Sequence, residues 1–514
     1  MTHLTLYRAL QFWASRWPDR LAVKTDTRTA TWRQLETAST AIAAGLAGLG
    51  VGKGDAVGIL MHNSLDFVES LLAALRLGAR VTLLNIRFTA SELVHPVVDS
   101  ALRVVITQQE LVESLSEARR ASPDLRIVLR EGEGADGSLA DFRAWRGHVD
   151  AAAVDENDTA LICYSSGTTG FPKGVMLSHR NVREGGLATA IPCGITSEDR
   201  VLISAPLAYT WGISQYLRES LGPGATATIV DPATGPDQLM DLLLADGITM
   251  WSAVPVFFEQ IANNPRFAAA DFSRLRHAVT GGASLHLLQQ WQDKGVLLTQ
   301  AFGMTETGGG HVTMLFGDEA KSRLGWAGRA LPGVDLAIAG DDGAMLPAGE
   351  EGEILVRGAM VMQGYLNNLE ESAAAWRDGW LRTGDVGLLD GQGYLKVTGR
   401  KKDMIRSGGL NVYPAEIERV LAGIDGMAEF AVIGVPDDRW GEVPMIVAHD
   451  SRSPDLDMLR QRCVADLAGY KRPKYLFEYG RPLPRTFSGK IMKHALRDEF
   501  RTLPDGAIAL GSSK

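Results

Sequence analysis

The run Ser165-Ser166-Gly167-Thr168-Thr169-Gly170-Phe171-Pro172-Lys173-Gly174 gathers small, hydroxylated and glycine residues around one lysine. Glycines let a backbone come close to a ligand, hydroxyl and N–H groups can wrap phosphate oxygens, and Lys173 adds a point charge. The chemistry this composition suits is the holding of a phosphate chain. It is not a Walker loop, because the second glycine is out of place and Gly174 stands where Ser or Thr would meet a magnesium ion. Taken one at a time, other polar residues say less: Glu306 reads as a loop carboxylate, Asp385 and Arg400 as members of surface ion pairs, Lys490 as a solvated lysine.

A phosphate loop needs a strand before it and a sheet to carry its neighbours, and the chain has the pattern for both. Short apolar runs at 159–164, 201–204, 276–280 and 296–301 read as buried strands, each followed by a polar or glycine-rich loop. Ligands collect at the carboxyl ends of strands in open α/β sheets, so these loops are where chemistry is expected. Helical patterns alternate with the strands over most of the length. Thr31-Trp32-Arg33-Gln34 has the form of a capping box and opens a helix that runs out among Gly48, Gly50 and Gly52. Those glycines end a helix and do not follow a strand, and their spacing fails the dinucleotide fingerprint.

After an apolar stretch at 394–397, the polar run Thr398-Gly399-Arg400-Lys401-Lys402-Asp403 marks a boundary between a domain at 1–399 and one at 403–514, with 400–402 between them. Pro414-Ala415-Glu416 then starts a helix, with proline in the first turn, Glu416 at the positive end of the dipole, and Ile417, Val420, Leu421 and Ile424 as the buried face. The expected fold class is α/β: a large multi-layered N-terminal body of β-sheets and helices, plus a small α+β C-terminal domain.

Bulk properties agree. The 514 residues are about three times the usual ~150-residue domain, and 45% hydrophobic with 22% charged residues is ordinary for a packed globular chain. A formal charge of -9 argues against nucleic acid or an anionic membrane as the main partner, while still allowing a local basic cluster to bind phosphate. Cys163, Cys193 and Cys463 are odd in number and widely spaced, so no disulfide framework or zinc site is expected; Cys463 falls in register with Leu456, Leu459 and Leu467 as a helix core residue. Arg8, Gln11 and Arg16 interrupt any signal-peptide core, and Leu6, Leu10, Trp13 and Trp17 mark a helix face instead. No stretch approaches the ~20 apolar residues of a membrane span, so a cytoplasmic location is expected. His179 follows Ser178 at a helix start, where capping explains it without catalysis.

The phosphate loop is followed in order by Gly281-Gly282-Ala283, Phe302-Gly303-Met304-Thr305-Glu306, Trp380-Leu381-Arg382-Thr383-Gly384-Asp385, Gly399-Arg400-Lys401-Lys402-Asp403 and Pro484-Arg485-Thr486-Phe487-Ser488-Gly489-Lys490. Together these strings resemble the signatures of the adenylate-forming superfamily, which includes acyl-CoA synthetases, luciferases and peptide-synthetase adenylation domains. The resemblance covers nearly the whole chain and points to the acyl-CoA synthetase branch. It implies a ligase that joins a carboxylic acid to coenzyme A through an acyl-adenylate, with ATP and Mg2+ as further requirements.

The resemblance also implies roles. Ser165, Ser166, Gly167, Thr168, Thr169, Gly170 and Lys173 would hold ATP phosphates; Gly281, Gly282, Ala283, Phe302, Gly303 and Met304 would surround the nucleotide; and Thr305 would touch the α-phosphate. Glu306 would be the magnesium-binding acid, a hard oxygen ligand. Asp385 would accept both ribose hydroxyls, with Arg400 donating to the same sugar. Phe302 stands where relatives usually have tyrosine, so stacking on adenine is kept and a hydroxyl is lost. Lys490 would stabilise the charge that develops as carboxylate meets α-phosphate. Lys402 matches the hinge about which the small domain rotates between half-reactions, and the rotated face would present Ser407, Gly408, Gly409 and Leu410 to the pantetheine arm of CoA.

Pro206 to Gly212 matches the acyl-pocket segment of relatives, where many carry histidine. Tyr209, Trp211, Gly212 and Phe257 on one side and Gly308, Gly309 and Gly310 on the other would suit an apolar body: an aromatic, alicyclic or medium-chain acid. The segment lacks the aspartate that pairs an amino-acid ammonium, which disfavours amino-acid activation. The alternatives are a ligase that loads a carrier protein, a luciferase-like oxidation of the same adenylate, and a non-catalytic ATP-binding relative. No nucleic acid and no membrane span is expected among partners, and a homodimer is left open.

Overall fold

The computed structural model describes residues 5–132, 135–145, 149–165, 172–424, 426–427, 429–449, 455–485 and 491–510. The apolar runs become strands buried on both faces: every residue of Ala56–Leu60 is buried, as are Val201, Leu202 and Ile203 of Arg200–Ile203. Such two-sided burial is what parallel sheets covered by helices require. Among the described residues there are three sheets, of 14, 8 and 6 strands.

The eight-stranded sheet has a parallel centre, where Ala56–Leu60, Arg80–Leu83, Leu102–Thr107, Arg126–Leu129 and Thr159–Ser165 run together. Lys173–Ser178 returns antiparallel to Thr159–Ser165, so the phosphate loop joins the two arms of a hairpin. The fourteen-stranded sheet is parallel through Thr226–Ile229, Arg200–Ile203, Met250–Ser252, His277–Thr280 and Leu298–Phe302. It then turns antiparallel at Thr313–Met314 and continues through Gly328–Ala330, Tyr394–Arg400 and Trp380–Leu389.

Helices follow their local signals. Trp32–Gly48 begins at the expected capping box, in which Thr31 and Gln34 satisfy each other's backbone N–H. Leu65–Arg76 is buried along its whole length. Trp251, Phe258 and Trp291 pack edge-on or tilted at the centre of a second core, each ring contributing about 3 kcal/mol through burial.

Tyr394–Arg400 is the last strand of the large body, Lys401–Asp403 makes one 3-10 turn, and Ile405–Ser407 opens the six-stranded sheet of the small C-terminal domain. The helix Pro414–Leu421 stops short of Ile424, because Gly423 turns the chain at φ 83°; Ile424 still packs against the small domain's core. Cys463 is buried in the same core, on the helix Leu456–Asp466, and all three cysteines are free. Among the described residues no helix is long and apolar enough to cross a membrane.

Candidate active site

The carboxyl end of Leu298–Phe302 carries a loop that folds back on itself. A Cβ on Gly303 would lie 2.1 Å from the carbonyl oxygen of Gly310, so only glycine allows the two ends of the loop to touch. Inside it, the Met304 N–H donates to Thr307 Oγ1 at 3.0 Å, and Gly308 and Gly309 take left-handed conformations at φ 75° and 68°. The short 3-10 turn Thr305–Thr307 holds Glu306 with its carboxylate buried. Phe302, just before the loop, is itself buried in the main core, and its N–H donates to Thr313 Oγ1 at 3.3 Å.

Glu306 is tied to the phosphate hairpin by residues that the sequence reading passed over. The Tyr365 phenol donates to Glu306 Oε1 at 2.9 Å, and the strand Gly364–Tyr365 pairs with Lys173–Ser178. Lys173 Nζ lies 5.2 Å from the centre of the Tyr365 ring and 2.6 Å from Glu371 Oε2. Lys173 and Glu306, 133 positions apart (306 − 173) in the chain, thus meet across one tyrosine. Burial pushes the Glu306 carboxyl above its ordinary range; its own backbone N–H, the Tyr365 hydrogen bond and Arg400 pull the other way. One buried carboxylate of this kind suits Mg2+ that takes its remaining oxygens from phosphates and water. Ser165 ends the strand before the loop, whereas Ser166, Gly167, Thr168, Thr169 and Gly170 lie outside the described residues, as does Lys490.

Asp385 and Arg400 are brought together by strand register. They are direct partners across Trp380–Leu389 and Tyr394–Arg400, with Arg400 Nε 2.9 Å from Asp385 Oδ1. Asp385 is buried and Arg400 half exposed, and both act electrostatically on Glu306, which places the three on one face. Thr383 Oγ1 accepts the Asp385 N–H at 3.1 Å and donates to the Ile354 carbonyl at 2.7 Å, pinning the strand. Gly281 and Gly282 are exposed at the end of His277–Thr280, with the Gly282 N–H on Gln300 Oε1 at 3.1 Å; the Ala283 side chain turns into the second core.

Lys402 is exposed beside Arg400, and partial desolvation together with that guanidinium lowers its pKa. Its carbonyl accepts from Arg497 Nη1 at 3.0 Å. Ser407, Gly408, Gly409 and Leu410 form the tip of the hairpin Ile405–Ser407 and Leu410–Val412, with Gly408 and Gly409 at φ 60° and 81°. A Cβ on Gly408 would meet Trp440 at 2.6 Å, so the Trp440 ring, not only a ligand, requires glycine there.

The acyl-pocket segment becomes the helix Thr210–Ser214, continued by a π-helical stretch at Gln215–Leu221. Gly212 is needed because a Cβ would lie 2.1 Å from the Pro206 carbonyl oxygen. Both aromatic residues have their polar ends engaged: Asn85 Nδ2 donates to the Tyr209 hydroxyl at 3.0 Å, and Trp211 Nε1 donates to Ser252 Oγ at 3.2 Å. On the next face, Thr210 packs against Gly309 and Ser214 Oγ donates to the Gly309 carbonyl at 3.0 Å. Of the three glycines after Glu306, Gly309 faces the segment through Thr210, whereas Gly308 and Gly310 lie toward the guanidinium of Arg218. Phe257, in the helix Pro255–Ala262, packs on the second core. Arg218 is the residue that sequence reading missed here, and a lone arginine between Leu217 and Leu221 was the available signal. His179 is structural: Ser178 caps the helix, the Leu6 N–H donates to His179 Nδ1 at 3.3 Å, and burial holds the imidazole at about 4.

Residues 10–366 match the model of the AMP-binding enzyme family and residues 416–490 that of the AMP-binding enzyme C-terminal domain. A feruloyl-CoA synthase of Amycolatopsis sp is 37% identical over 487 residues, covering 94% of this chain and 96% of that protein. The long-chain-fatty-acid–CoA ligase FadD13 of Mycobacterium tuberculosis is 34% identical over 473 residues, covering 91% and 93%. The structure of o-succinylbenzoate coenzyme A synthetase from Bacillus subtilis in complex with ATP and magnesium superposes with a TM-score of 0.84 at 30% identity, covering 95% of this chain and 99% of that one.

Proposed function

This chain belongs to the AMP-binding enzyme family and is an AMP-forming acid–CoA ligase that uses ATP, Mg2+ and CoA, and on that premise we propose which residues carry each half of its reaction. In the first half, an oxygen of the substrate carboxylate attacks the α-phosphorus of ATP, the bond to the β-phosphate breaks, and pyrophosphate leaves. Lys490 supplies the cation that stabilises charge on the bridging oxygen. Ser165, Lys173 and the loop between them hold the phosphates, Thr305 contacts the α-phosphate, and Asp385 with Arg400 fixes the ribose. Phe302, Gly303 and Met304, with Gly281, Gly282 and Ala283, enclose the base. Glu306 would hold Mg2+, which when bound would supply positive charge to offset that of the phosphates.

In the second half the CoA sulfur attacks the acyl carbon and AMP leaves as the mixed anhydride breaks. The domain at 403–514 rotates about Lys402 to present Ser407, Gly408, Gly409 and Leu410 to the pantetheine arm. The acid has an apolar aromatic, alicyclic or medium-chain body, received between the Tyr209–Trp211–Gly212 segment with Phe257 and the Gly308–Gly310 loop. The reaction is cytoplasmic, with no nucleic acid partner, and a homodimer is compatible with it.

One observation supports this reading: Glu306, Asp385 and Arg400, scattered through the sequence, act on one another, and Tyr365 joins Lys173 to them. Its test is an assay with ATP, Mg2+, CoA and each of benzoate, cyclohexanecarboxylate and octanoate. Equal amounts of AMP, pyrophosphate and acyl-CoA are expected from at least one acid. Adenylate that accumulates without thioester would move the acceptor to a carrier protein, and failure to form AMP with any acid would refute the reading.

A further inference from the structure

Arg218 is 2% exposed, and Nε, Nη1 and Nη2 all lack a hydrogen-bond partner among the described residues. Burying a guanidinium with its donors unmade is costly, so the position calls for a reason. The surrounding backbone has been cleared for it. A Cβ on Gly310 would lie 1.2 Å from Nη1, and one on Gly185 would lie 1.4 Å from Nη2. Gly186 runs alongside, with its Cβ position 3.4 Å from the Arg218 Cα. The helix His179–Cys193 and the loop after Glu306 thus give up side chains around a single cation.

The charged neighbours do not complete it. Glu219, next in sequence, attracts the guanidinium through space without a hydrogen bond to it, and one oxygen of that carboxylate is itself buried and unpartnered. His311 is buried on the other side, and desolvation together with Arg218 depresses its pKa to about 3, so it stays neutral and does not balance the guanidinium. The placement is on the acyl side. Thr210, Ser214 and Arg218 follow one another at intervals of four and all face the glycines that begin two residues after Glu306. The π-helical stretch that carries Arg218 is a device found often at functional sites, because it displaces side chains from their regular positions.

We propose that Arg218 is a specificity-determining residue, and that the acid this ligase activates carries a second carboxylate at the end remote from the one converted to thioester. The planar fork of a guanidinium matches a carboxylate with two parallel hydrogen bonds and opposite charge, which an apolar chain end cannot offer. The substrate is then an apolar body with an acidic far end. This deepens the ligase reading above and rests on it.

The test compares matched acids: octanoate with suberate, cyclohexanecarboxylate with cyclohexane-1,4-dicarboxylate, and benzoate with terephthalate. AMP formation gives kcat/KM for each, and the readout is the diacid-to-monoacid ratio, which partial loss of folded protein leaves unchanged. In the unaltered protein at least one pair is expected to favour the diacid by about 30-fold or more, as a site built to hydrogen-bond a group discriminates against its absence. Arg218→Met should bring that ratio to one or below, and Arg218→Lys should leave an intermediate value. Gly310→Ala keeps the arginine but pushes its fork aside, and should lower the ratio as well. AMP from the monoacids with no diacid preference in any pair, or a ratio unchanged in Arg218→Met, overturns the assignment and leaves the ligase intact. No AMP from either member of any pair removes both.

Discussion

The two ends of the site are built in opposite ways. At the nucleotide end, polar residues already have partners: Asp385 meets Arg400 across two strands, Tyr365 donates to Glu306, and Lys173 pairs with Glu371. Sheet register fixes these positions, and such preorganisation suits a step that is the same for every acid. At the acyl end, a π-helical stretch carries Arg218, Tyr216 and Gln215 with buried polar atoms that lack partners among the described residues. The first end rests on regular strands, and the second on an irregular helix. Substitutions at three positions test the difference.

The largest effect is expected at Lys490. In Lys490→Ala, acid-dependent exchange of pyrophosphate into ATP should fall by about a thousandfold, while CoA transfer from supplied acyl-adenylate continues. This separation holds only if the two half-reactions use different residues. Near-normal exchange would mean that the nucleotide end, with its paired groups, catalyses adenylation without a cation from the small domain.

The sequence made the nucleotide end legible and left the acyl end largely hidden, for a physical reason. Phosphates and ribose demand fixed residue types in short strings, so Ser165 to Gly174, Phe302 to Glu306 and Thr383 to Asp385 could be proposed from the sequence. Strand patterns were equally plain: the runs at 159–164 and 276–280 fall on Thr159–Ser165 and His277–Thr280. Tyr365 was not readable, because its meeting with Glu306 depends on a two-residue strand pairing far away in sequence. Nor was Arg218, whose isolation follows from glycines at 185 and 310 that only the fold brings together. Motif strings report local demands, whereas a pocket is assembled from long-range ones.

The acyl end should declare its unmet polar groups through stability. Burial raises the Glu219 carboxyl to about 7, with Arg218 opposing that rise. The folded chain therefore keeps a proton that the unfolded chain releases near 4.5, so stability is greatest below that pH, declines as pH rises and levels off above about 7. The loss between pH 4.5 and 8 should be about 3 kcal/mol from this group. Denaturant unfolding of Glu219→Gln, compared with the unaltered protein at pH 5 and pH 8, should remove that share of the decline. An identical decline in both would show that Glu219 is ionised at neutral pH and that the acyl end is electrostatically complete, as the nucleotide end is.

The smallest effect tests whether pairing at the nucleotide end contributes to function or only to order. Tyr365→Phe keeps the ring beneath Lys173 and deletes a hydroxyl that donates to Glu306. A hydrogen bond to a charged group contributes about 1.5–3 kcal/mol, and part of it should be recovered by water or by the metal itself. The Mg2+ concentration for half-maximal adenylation should rise about fivefold, with kcat at saturating Mg2+ falling by less. A lower kcat with an unchanged Mg2+ requirement would instead place the phenol's role at Lys173 and the phosphate loop. The order at this end would then serve the cation more than the carboxylate.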